Sequence, residues 1–72
     1  MDVVQLLGEN VRYYRKLKGM TQEQLAADAG MERSYVSDLE RGTRNPSVVA
    51  LGRIAMALHI EAHLLLCRVN RD

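Results

Sequence analysis

A chain of 72 residues with 47% hydrophobic and 26% charged residues has the length of one domain and the composition of a folded one, which excludes a disordered chain. Its single cysteine, Cys67, excludes an internal disulfide and a cysteine-built zinc site, and no apolar run approaches the ~18 residues of a membrane span. No basic leader precedes Asp2, so the sequence reads as cytoplasmic, and a net charge of +1 leaves any case for nucleic acid to the distribution of charge.

In chain order the apolar spacing is helical throughout, with no alternation long enough for a strand, so the fold class is all-α. Asp2 caps a first helix carrying Leu7, Val11 and Tyr14, and Gly19 stops it after a basic last turn that suits the helix dipole. Thr21 opens a second helix, with Gln24 three residues on as a capping box and Leu25 and Ala29 facing inward. Gly30 ends it. A third helix runs from about Arg33 to Arg41, with Tyr35, Val36 and Leu39 available for packing, and Gly42 closes it. "TRNP" is a loop, because the residue before Pro46 is pushed out of helical geometry. Ser47 caps a fourth helix whose Val48, Leu51, Ile54, Ala55 and Leu58 form the most apolar face in the chain. After a break at His59 and Ile60, a short fifth helix is expected from about Ala62 to Cys67, making five helices in a single domain over 1–72.

The second and third helices carry a functional signal. Counting from Gln22, small Ala26 comes fifth, Gly30 ninth, and apolar Val36 and Leu39 fifteenth and eighteenth. Ala26 lets the helices cross closely, Gly30 takes the left-handed conformation of a tight turn, and the last two seal the angle. That is a helix-turn-helix, and it explains why the third helix is so polar: its outer face is free to meet base edges. Arg12, Arg15, Lys16 and Lys18 crowd the end of the first helix and Arg33, Arg41 and Arg44 follow, while Asp2, Glu9, Glu61 and Asp72 lie outside that stretch. Taken alone, such a run reads as a solvated basic face.

With "KGMTQEQLA", "ERG" and "NPS" followed by "LGRIAMAL", nearly the whole chain resembles the lambda-repressor-like, Cro-type helix-turn-helix family, and "ERSYVSDLERGTRNPS" resembles most the controller proteins of restriction–modification systems. The resemblance implies a compact five-helix DNA-binding domain and a transcriptional regulator, dimeric on a palindromic operator, with double-stranded DNA and a second copy as partners and RNA polymerase added for an activator. It implies no cofactor. Carried over residue by residue, Arg33 reads a base by forking to guanine O6 and N7, and Ser34 and Ser37 reach a base or phosphate, solvent-facing serines being the alternative. Tyr35 contacts phosphate or a thymine methyl, or else is a partly buried core tyrosine. Gln22 meets a phosphate at the start of the second helix. Arg44 and Asn45 meet phosphate or groove edge, with a plain turn role for Asn45 beside Pro46 as the alternative. Arg15 and Glu40 form an ion pair joining the first helix to the third, against the alternative of two solvated charges. Glu32 departs from the usual cap of the recognition helix, and Asp38 places a carboxylate toward a phosphate duplex unless it accepts from cytosine or pairs with Arg41 or Arg44.

Three further readings compete or add. His59, His63 and Cys67 fall four apart and on one continuous helix would line a metal-binding face, which the expected turn at "LHIEAH" breaks. No phosphate loop or readable nucleophile–base pair supports an enzyme. The alternative function is an antitoxin or phage-type repressor whose fourth and fifth helices bind a partner protein. Lastly, consecutive Leu64, Leu65 and Leu66 would span about 200° of a short helix, leaving at least one exposed. A homodimer is therefore expected through residues 61–67 and the end of the fourth helix, centred on Leu65, with Leu66 as the fallback.

Overall fold

The computed structural model describes residues 2–68, so both ends of the expected 1–72 domain, and Asp72 with them, lie outside the described residues. Four α-helices follow one another: α1 (Val3–Leu17), α2 (Gln22–Ala29), α3 (Arg33–Arg41) and α4 (Val48–Ala57), with a 3-10 helix at Ala62–Leu66. Each cap acts as its residue type dictates. Asp2 accepts from the Val4 and Gln5 amides, Thr21 and Gln24 exchange side chain and backbone in a complete capping box, and Ser47 accepts from the Ala50 amide.

The helices close over one apolar cluster. Leu7 and Val11 of α1, Leu25 and Ala26 of α2, Val36 and Leu39 of α3, Ile54 of α4 with Leu58 just past its end, and Leu65 are its main members. α1 and α3 meet at backbone distance, because a Cβ placed on Gly8 would stand 2.2 Å from the Leu39 carbonyl oxygen. Only a residue without a side chain admits that approach.

The expected fifth α-helix is instead the 3-10 helix of five residues, and its cause lies in α1. Asn10, fully buried, donates through its side-chain amide to the carbonyls of Leu65 (2.9 Å) and Cys67 (2.8 Å). Those carbonyls are thus capped from outside, and the helix gives way to extended backbone at Cys67. Three residues per turn also separate the leucines by about 120° each. Leu65 is fully buried in the chain's own core, Leu64 is half-buried, and Leu66 remains 44% exposed. The centre expected for a dimer contact is therefore occupied internally, and only Leu66 of the three offers an open surface.

α4 is apolar on both sides. Ile54, Ala55, Ala57 and Leu58 point inward, while Val48 (83% exposed), Val49, Gly52 and Met56 (78% exposed) share an outward arc with Arg53. Gly52 has nothing within 4 Å of where a Cβ would stand. Val48 and Leu66 also border one shallow groove with Val3.

Candidate nucleic-acid interface

The turn between α2 and α3 places the polar helix outward. Gly30 adopts φ 69°, ψ 40° at the end of α2, a region open to glycine and strained for other residues, and the Met31 amide then bonds back to the Ala26 carbonyl at 3.0 Å. Val36 and Leu39 turn into the core from α3. Arg33 and Ser34 are left exposed on its first turn, with Ser37 half-buried one turn along. Glu32 makes no side-chain cap bond, in keeping with its departure from the usual capping residues.

Glu40 anchors this helix to the two others. Arg15 Nε meets Glu40 Oε2 at 2.6 Å and Arg15 Nη2 meets Oε1 at 3.1 Å, the two-pronged geometry that suits guanidinium and carboxylate. Their side chains are 11% and 4% exposed, so this is a desolvated pair and not two solvated charges. Arg15 Nη1 also donates to the Met20 carbonyl at 2.8 Å. Gln22 Nε2 donates to Glu40 Oε1 at 3.0 Å, a role unforeseen in the sequence, and its second amide hydrogen is still available to a phosphate. One carboxylate thereby fixes α1, α2 and α3 together.

A second charged group joins the last turns of α3 to the loop that follows. Asp38 pairs with Arg41 and, at 3.5 Å, with Arg44. The Arg44 guanidinium sits over the half-buried Tyr35 ring, 4.5 Å from its centre, a cation–π arrangement. Tyr35 is thus the partly buried tyrosine packed against the core, and its ring also supports an arginine at the surface. Asn45 is exposed beside Arg44. The structure brings Arg33, Ser34, Ser37, Tyr35 and Arg44 together along or beside α3, with Gln22 joined through Glu40. Asn10 and Gly8, which hold the frame, had no local signal in the sequence.

Among the described residues, no group of three or more His, Cys, Asp or Glu side chains is placed to hold a metal ion. His59 leaves α4 with a positive φ of 57°, which ends the four-residue register it would share with His63 and Cys67. No helix among the described residues is long and apolar enough to cross a membrane.

Known proteins share this arrangement. Residues 11–65 match the helix-turn-helix family profile. The chain is 45% identical over 64 residues to the uncharacterized HTH-type transcriptional regulator y4dJ of Sinorhizobium fredii, covering 85% of this chain and 83% of that protein. It is 41% identical over 68 residues to the control protein C.SmaI of Serratia marcescens, covering 94% and 81%. The crystal structure of the restriction-modification controller protein C.AhdI from Aeromonas hydrophila superposes with a TM-score of 0.84 at 44% identity, covering 86% of this chain and 94% of that one. A buried ion pair that holds a polar helix outward, a glycine turn before it and these likenesses have one explanation: the chain belongs to the lambda-repressor-like, XRE-type helix-turn-helix family of DNA-binding transcriptional regulators.

Proposed function

We propose that the protein controls a restriction–modification system, binding a palindromic operator as a homodimer with α3 in the major groove. The observation that carries this is the exposed first turn of α3, Arg33 and Ser34, on a helix made rigid by the Arg15–Glu40 pair. Arg33 forks to a guanine, Ser34, Ser37 and Tyr35 complete the base-facing surface, and Gln22, Arg44 and Asn45 meet the backbone or groove edge. The likeness to proteins named control or controller proteins supports the biological role.

The homodimer draws support from α4. The outward face of a surface helix is ordinarily polar, yet on this one Val48, Val49 and Met56 are open beside the single charge of Arg53. A second copy laid against this arc and Leu66 covers them across a two-fold axis. The same axis sets two α3 helices about 34 Å apart, one turn of DNA. RNA polymerase becomes a partner only if the bound dimer activates.

Selection of bound duplexes from a random pool is expected to return two inverted half-sites about one turn apart, and sedimentation at micromolar concentration to give twice the 8.1 kDa chain mass. A clean monomer binding a single half-site tightly would refute the dimer. A methyltransferase and endonuclease gene beside this one ties the operator to restriction–modification; a toxin gene or a phage lysis–lysogeny region assigns it elsewhere.

A further inference from the structure

The α3 face offers arginines to a phosphate duplex, yet one carboxylate stands among them. Asp38 is engaged through both oxygens, Oδ1 by Arg41 and Oδ2 by Arg44 at 3.5 Å. Its helical turn is held in turn, since its carbonyl accepts from the Thr43 hydroxyl at 3.1 Å and the Thr43 amide at 3.0 Å. Arg44 is fixed a second time by the Tyr35 ring. Pairs this exposed add little to stability, and a carboxylate facing DNA is repelled by it. Stability therefore does not account for an acid at this position.

We propose that Asp38 is a specificity-determining residue that restrains Arg41 and Arg44 from the phosphates of arbitrary duplex, leaving Arg44 to the edge of the operator, so that the protein separates its operator from bulk duplex. The proposal rests on the DNA-binding reading above. Binding to arbitrary sequence draws its free energy from phosphate neutralisation and counterion release. To join in, each guanidinium must leave Asp38 or carry the carboxylate against the backbone, and either weakens sequence-independent binding. On the operator, base contacts through Arg33 fix the register, and Arg44 keeps its place on Tyr35 with donors left over for the groove edge. Discrimination rises because the non-specific complex loses more than the specific one.

The test uses the full chain as wild type, Asp38→Asn, Asp38→Glu and Asp28→Asn, the last removing an equal charge from the exposed C-terminal part of α2. Each is titrated against the selected operator and a random duplex of equal length over a series of salt concentrations. Asp38→Asn is expected to bind the random duplex roughly 10-fold more tightly at low salt, with a salt slope steeper by about one to two, while operator affinity moves by less than about 3-fold. Asp38→Glu, which keeps the charge, keeps the wild-type ratio, and so does Asp28→Asn. Equal tightening on both duplexes, no change on either, or the same effect from Asp28→Asn or Asp38→Glu would overturn the role of Asp38. A wild type that is not retained on either duplex instead refutes the DNA-binding reading itself, and the wild type alone tells the two failures apart.

Discussion

Arg33 and Glu40 lie on the same helix of nine residues and use charge in opposite ways, one held out for a ligand and one locked inside. Arg33→Ala is expected to weaken the preferred site by ~1–3 kcal/mol and to flatten preference at one guanine, whereas Arg12→Ala, at an exposed arginine of α1, weakens all sequences alike and lowers the salt slope by ~1. Titrations on specific and random duplexes decide it, and equal losses from Arg33→Ala on both would remove its base-reading role. Glu40→Ala leaves Arg15 and Gln22 facing each other with no acceptor between them. Because little solvent reaches that pair, the loss in a urea melt is expected at ~3–5 kcal/mol, against well under ~1 for an exposed pair.

At the level of elements, the close approach of α1 to α3 at Gly8 sets an unusual sign. Replacing a helical glycine by alanine ordinarily stabilises by about 0.5–1 kcal/mol. Gly8→Ala drives a methyl group toward the Leu39 carbonyl, so it is expected to destabilise by more than ~1 kcal/mol and, by displacing α3, to weaken operator binding as well. Thermal melts of Gly8→Ala beside wild type check the sign. Most α-helix boundaries were legible in the sequence because caps and left-handed glycines are local: Asp2, Thr21 and Ser47 accept from amides two or three residues on, and the Gly30 amide donates back to the Ala26 and Ala27 carbonyls. The C-terminal 3-10 helix was not, because what ends it is Asn10, 55 residues before Leu65. Periodicity could show that the three leucines crowd a short segment, and could not show which one the core takes. At the interface, Arg33 and Ser34 were readable as an exposed first turn, while the stacking of Arg44 on Tyr35 needed a fold to bring a loop back over a helix.

For the whole molecule, the placement of Leu65 and Leu66 separates folding from association. Leu65→Glu puts a carboxylate into the core and is expected to unfold the chain. Leu66→Glu with Val49→Glu, both at exposed positions, is expected to leave the circular dichroism spectrum native while sedimentation shows monomers that bind the operator far more weakly. Native monomers that bind as well as wild type would refute the dimer contact. Gly52 carries this further. Nothing among the described residues requires a glycine there, and alanine in its place would strengthen α4 by about 0.5–1 kcal/mol in an isolated chain. The protomer thus forgoes stability within its reach, on the arc of α4 that the proposed dimer would cover. In the proposed dimer, assembly and operator occupancy would rise together, so at low protein levels bound operator would grow with the square of protein concentration.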